Sequence, residues 1–247
     1  MFKLAECMGI PKTCLVDNTI FKKLFYENAN LNQADKKLFI NQIDKIKWNY
    51  CLKNETINIK PFKDKIREYN EVEFFTVLVK SLVKTNRLAE IIMRTIPYPI
   101  ILTFQHHNEI QIYTAHQRIN QADSSKNTLD EIIHTESIYL DHLDELDKTF
   151  FNSLKIKNLR FTNFYTLYQD IVDSIIKYNG SKLIGENLSS DTDEIKSIYD
   201  EIVLLNNKIQ YLRNSIKKET QFNKTLEINM QIKKLEQKKK DLINDLN

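Results

Sequence analysis

Seven apolar residues near the C-terminus, Ile195, Ile198, Ile202, Leu205, Ile209, Leu212 and Ile216, recur at alternating spacings of three and four. That beat is the seam of a coiled coil and confines the segment to helix. Left in water, such a seam forgoes about 25 cal/mol for every Å² it would otherwise bury. It must therefore pair within the chain, with a second copy, or with another protein. A second set, Ile228, Ile232, Leu235, Leu242 and Leu246, repeats the spacing with Lys239 in one slot, but out of phase with the first. The helix accordingly turns back or stutters within 217–223. If it turns, the two sets satisfy each other as an antiparallel hairpin; if it does not, one long helix must dimerise. These apolar positions, Ile195 through Leu242, are the expected partner-binding surface.

Composition removes several function classes. The chain has 247 residues, 42% of them hydrophobic, which is ample for a core. A net charge of +3 with 28% charged residues gives no dominant field of one sign, and so makes no strong case for nucleic acid or membrane, though local basic patches remain open. No apolar run approaches the roughly 20 residues that span a bilayer, and Met1 to Glu6 has no secretory apolar core. A cytoplasmic protein is expected. Cys7, Cys14 and Cys51 are odd in number and far apart, which suits free thiols and suggests neither a disulfide framework nor a metal role. Glycine occurs only at Gly9, Gly180 and Gly185, too sparsely for a phosphate-cradling loop. G-x-S-x-G, H-E-x-x-H and C-x-x-C are all missing. No cofactor is expected.

Periodicity along the chain predicts an amphipathic helix over 32–48 through Leu38, Phe39, Ile43 and Ile46, capped by Asn32 and ending with Trp48 packed at the edge of the core. Alternation predicts strands at 56–59 and 72–79, separated by a charged connection containing Pro61. A helix over 84–95 stops at Pro97-Tyr98-Pro99. A hairpin follows, made of 100–104 and 110–115 with His106 and His107 at its polar tip. Residues 121–127 read as a polar loop and 163–178 as another helix. Gly180, Gly185, Ser189 and Ser190 read as a linker, and Asp191 as the cap of the heptad helix. The fold class is α+β: a small, mainly antiparallel sheet with packed helices over 1–185, followed by a helical coiled-coil segment, hairpin or long helix, over 186–247.

The strand–helix–strand order invites comparison with nucleases of the PD-(D/E)xK type, which need an acid on one strand and an E-x-K triplet on the next. Lys80 has Leu78, not an acid, two positions before it, and Leu78 offers no ligand to Mg²⁺. Glu71, Glu73 and Lys80 remain as an irregular alternative; otherwise they form a solvated strand face. His106, His107, His116, His134 and His142 lack the spacing of a zinc set. Asp141, Asp144, Glu145 and Asp147 fit an exposed acidic surface better than paired catalytic carboxylates. Lys233, Lys234, Lys238, Lys239 and Lys240 could contact phosphates, yet interspersed acids mark an outer helical face.

Several stretches together resemble the bacterial family catalogued as domain of unknown function 4391. They are Phe25-Tyr26-Glu27-Asn28, Lys47-Trp48-Asn49-Tyr50 with Thr56-Ile57-Asn58-Ile59, Ala89-Glu90-Ile91-Ile92 leading to Ile96-Pro97-Tyr98-Pro99, and Lys218-Glu219-Thr220-Gln221-Phe222-Asn223. The resemblance covers most of the chain and contains no catalytic motif. It implies genes beside helicases and DNA methyltransferases of restriction-like loci, and hence an accessory role in defence against foreign DNA. The expectation is a non-enzymatic assembly protein that binds such a helicase or methyltransferase, or itself, with nucleic acid reached indirectly. The alternatives are a divergent metal-dependent DNA nuclease and a DNA-binding subunit.

Overall fold

The structure is a computed structural model that describes residues 1–28, 31–120, 127–188, 191–217, 219 and 221–245. Two compact units divide it, Met1–Ile175 and Ile176–Asn247. The chain opens with α1 (Leu4–Met8), β1 (Leu15–Ile20), α2 (Lys22–Asn28), α3 (Gln33–Gln42) and β2 (Ile43–Lys53). A single helical turn, α4 (Asn54–Ile57), and a ribbon of β3 (Phe62–Lys63) with β4 (Glu68–Tyr69) lead to β5 (Glu71–Val79), α5 (Thr85–Thr95) and β6 (Ile100–His106). Then come β7 (Glu109–Ile119), β8 (Asn127–His134), β9 (Ile138–Tyr139), α6 (Glu145–Ser153), α7 (Phe164–Ile184), α8 (Thr192–Ile216) and α9 (Phe222–Asp245).

One mixed sheet runs in the order β1-β2-β5-β6-β7-β8, with β9 also on β7. Its only parallel pair among the described strands is β5 with β6; every other pairing in it is antiparallel. Parallel neighbours need a crossover, which α5 supplies. The face of β5 that carries Phe75, Val77 and Val79 packs with Phe25, Phe39, Leu88, Ile91 and Ile92 of α2, α3 and α5. On the opposite face the Thr76 hydroxyl donates to the Phe2 carbonyl at 3.1 Å, and Phe2 packs its ring against Phe151 of α6. With both faces covered, β5 and β6 are buried along nearly their whole length, as parallel strands are.

The α+β class with a mostly antiparallel sheet and a long C-terminal helical region is what the sequence predicted. Three local readings are corrected. The helix expected over 32–48 stops at Gln42, and Ile43, Ile46 and Trp48 continue as strand. Asn32 does cap α3, accepting from the Asp35 amide at 2.8 Å. Residues 54–57 form one helical turn rather than strand, because Asn58 adopts φ +55 and turns the chain. Gly180 lies inside α7, where a Cβ would come within 2.6 Å of Ile195 Cγ2, so it allows close packing instead of linking. Of the expected loop 121–127, residues 121–126 lie outside the described residues, as do Ser189 and Ser190; Asn127 opens β8.

In the second unit, α8 and α9 fold back on each other. Arg213 Nη2 lies 2.7 Å from Glu236 and Lys238 Nζ 2.5 Å from Glu201, a pairing that only an antiparallel hairpin allows. Ile209, Leu212 and Ile232 form its buried core, with Ile216, Ile228 and Leu235 packed around them.

Leu102 faces Tyr113 across β6 and β7, and the same register sets Ile100 opposite Ala115. The Tyr168 hydroxyl of α7 fills that position. It accepts from the Ala115 amide at 2.9 Å and donates to the Ile100 carbonyl at 2.8 Å. Tyr168→Phe removes the hydroxyl and leaves the buried Ala115 amide without its partner. The expected loss is roughly 1–3 kcal/mol of unfolding free energy, measured by urea denaturation, with the fold unchanged by circular dichroism.

Candidate functional site

The C-terminal end of β2 lies beside the N-terminal end of β5, with Cys51 opposite Glu73 and Lys53 opposite Glu71. Directly paired residues share a face of the sheet, so a thiol, two carboxylates and an ammonium converge on one side. One ligand atom from each of Cys51, Glu71 and Glu73 lies within 4.8 Å of the other two. Cys51 Sγ donates to Glu71 Oε2 at 3.7 Å, and Lys53 Nζ sits 3.0 Å from that same oxygen. Cys51 is 5% exposed and Glu73 only 4%. Burial, and then the charge of Glu71, push the Glu73 carboxyl up to about 8, and a hydrogen bond between the two acids adds to the shift. Burial followed by the same two acids pushes the Cys51 thiol up as well. At pH 7 Glu73 therefore holds its proton and leans on Glu71.

A β-bulge lies just upstream. The register shifts between Trp48 and Tyr50, leaving Asn49 with no cross-strand partner residue. Asn49 is 2% exposed, and neither atom of its amide has a hydrogen-bond partner among the described residues. Trp48, expected at the edge of the core, stacks on Phe75 with ring centroids 6.1 Å apart.

Of the three residues in the nuclease alternative, the structure brings together Glu71 and Glu73 and keeps Lys80 away. Lys80 follows the far end of β5, seven residues beyond Glu73, which is roughly 23 Å of strand. Its amide donates to the Gln42 carbonyl, and its side chain lines a separate open cavity of about 480 Å³ with Asp44, Gln105, His106 and His107. That cavity opens at the carboxyl ends of the parallel strands, the usual place for a ligand in such sheets. His106 closes β6 with Nδ1 3.0 Å from the Val79 carbonyl, and its ring centroid is 4.3 Å from that of His107. The acidic group at 141–147 includes a helix cap: Asp144 accepts from the Asp147 amide at 2.8 Å and Asp147 returns the bond at 3.0 Å.

Among the expected partner-binding positions, Ile195, Ile202, Leu205, Ile209, Leu212 and Ile232 are buried, and Ile198, Ile216, Ile228, Leu235 and Leu242 are half-buried. Leu246 lies outside the described residues. Lys238 pairs with Glu201 and Lys239 donates to Asn206 at 2.9 Å, whereas Lys233, Lys234 and Lys240 are exposed. Sequence reasoning missed Cys51 as a neighbour of the two acids. The signal was the antiparallel register of 51 with 73, and it stayed hidden while 32–48 read as helix.

A mixed sheet crossed by one helix, with a thiol–carboxylate cluster where the end of β2 meets the start of β5, defines an α+β protein with a buried polar site. The family model described as Domain of unknown function (DUF4391) matches residues 8–238, and the chain belongs to that family. No curated protein and no solved structure matches it. Among the described residues, no helix is long and apolar enough to cross a membrane.

A buried acid with a raised pKa stabilises the fold while it is protonated. Glu73 ionises near 4.5 when unfolded and near 8 when folded, so its contribution is complete below about 4.5 and is lost as pH rises through 8. Glu73→Gln cannot ionise. The stability of Glu73→Gln relative to the native chain, measured by denaturation in chelator, is expected to grow between pH 5 and pH 8 and then level off. The slope has a ceiling of about 1.4 kcal/mol per pH unit.

Proposed function

We propose that this chain is a non-enzymatic accessory protein that binds a larger DNA-processing enzyme, a helicase or methyltransferase of a bacterial restriction-like defence system against phage. One observation carries the reading. Phe222, Leu226 and Met230 recur every four residues along α9 and are 79%, 51% and 55% exposed. They form an apolar stripe apart from the residues that pack α9 on α8. A globular chain gains nothing from holding three large apolar side chains in water on a helix whose other apolar face is already occupied. Helix-in-groove recognition uses this spacing of anchors.

The partner's chemistry follows from the surroundings of the stripe. Along α9 stand six lysines against four acids, and Lys224, Lys233 and Lys234 flank the apolar residues. A complementary groove is apolar at its centre and acidic at its rim. The link to helicases and methyltransferases rests on the family resemblance. The α8–α9 seam supports the reading indirectly, because pairing the two helices presents the stripe on a rigid hairpin.

The test is affinity purification of the tagged chain from its native host at moderate salt, followed by reconstitution with the purified helicase or methyltransferase. The native chain is expected to form a stoichiometric complex. Leu226→Glu with Met230→Glu should weaken it by at least ~2 kcal/mol, as loss of interface anchors does, without unfolding the hairpin. Retention of neither enzyme, or a complex indifferent to the double substitution, overturns the reading.

A further inference from the structure

We propose that Cys51, Glu71 and Glu73 form a binding site for a divalent cation of the zinc class. Three side chains that are all competent ligands, one sulfur and two oxygens, converge within 4.8 Å, and they come from facing positions on two strands instead of one flexible loop. Such ligands are held rigidly, as a metal site requires. The donor set selects the metal. A thiolate among carboxylates favours zinc, cobalt or ferrous iron and disfavours Mg²⁺, which takes hard oxygen donors only.

Charge supports the same assignment. With the thiolate and both carboxylates ionised, the ligands carry three negative charges, and a divalent cation with Lys53, 3.0 Å from Glu71, brings the group to neutrality. An ionised Glu73 at 4% exposure on the core face of a central strand is costly without such a counter-charge. The β-bulge just upstream adds a buried polar group with unused bonding capacity: the Asn49 amide, two residues before Cys51 on the same strand, lacks a hydrogen-bond partner for either of its polar atoms. Three protein ligands leave a tetrahedral cation one further position, the arrangement of zinc sites that hold a water or substrate.

The site is independent of the partner stripe on α9, so the two readings stand or fall apart. It also differs from the nuclease alternative, which requires Mg²⁺ and Lys80.

Titration of the full chain, purified in chelator and exchanged into metal-free buffer, with Co²⁺ tests it. One equivalent of Co²⁺ is expected to bind with a thiolate-to-cobalt charge-transfer absorption, to be displaced by Zn²⁺ and not by excess Mg²⁺. Cys51→Ser should abolish the absorption. Glu73→Gln and Glu71→Gln should each raise Kd by more than the roughly 10–100-fold that loss of an outer-shell partner costs. Circular dichroism melts establish that each variant is folded; Glu71, the least buried of the three, gives the variant that least disturbs the core. Absence of stoichiometric Co²⁺ binding by the native chain overturns the proposal. So does a charge-transfer band that persists in Cys51→Ser and therefore belongs to Cys7 or Cys14, or displacement by Mg²⁺.

Discussion

The parallel pairing of β5 with β6 is the constraint on which the rest of the first unit depends. Parallel neighbours cannot be joined by a tight turn, so α5 must cross over and cover one face, while the N-terminal segment and α6 cover the other. Once both faces are closed, each polar atom on these strands needs a local partner. The hydroxyl of Thr76 finds the Phe2 carbonyl. The Tyr168 hydroxyl completes the ladder between Ile100 and Ala115. The Gln117 amide nitrogen reaches the Tyr98 carbonyl at 2.9 Å just beyond α5. The ion pair of Arg87 with Asp35, bidentate at 3.0 and 2.5 Å, ties α5 to α3 at the rim of the same layer.

Against that economy of satisfied groups, the end of β5 at Glu71 and Glu73 stands out. Thr76 on this strand meets a neutral carbonyl, whereas Glu73 is a buried carboxyl on the core face with ligand atoms of another carboxyl and a thiol within 4.8 Å. Carboxyls shifted by burial and a neighbouring charge cluster at functional sites. The opposite end of the strand holds Lys80 and the two histidines beside an open cavity. The charged groups of β5 are therefore divided between its two ends, and no single centre gathers them.

The second unit follows a different rule. Its stability lies in a seam of apolar side chains that is readable one turn at a time, and its ion pairs lie along the exposed edges, where each contributes little. The exposed apolar residues of α9 lie apart from this seam, whose own residues already bury one another.

Local periodicity was sufficient for the heptad helices, for β5, for α5 and for the β6–β7 hairpin, since each carries its apolar pattern within its own residues. The pattern failed where two periods share residues. Leu38, Phe39, Ile43 and Ile46 fit a helix as readily as they fit a helix running straight into a strand, and only the pairing of Ile46 with Val77 and Trp48 with Phe75 decides between them. β1 and β8 were invisible for a different reason: they are edge strands whose apolar residues do not alternate, made by their neighbours more than by their own sequence. By itself, then, the sequence determined the class of the fold, its family and the two heptad seams, all of which rest on short-range spacing or residue identity, and left open whether those seams close on each other as a hairpin. Only the tertiary structure decided that Cys51 faces Glu73, that Lys80 lies a strand-length away, and that Phe222, Leu226 and Met230 stay outside the seam. Register between strands and the packing of one helix on another join residues distant in the chain, and no local period encodes those.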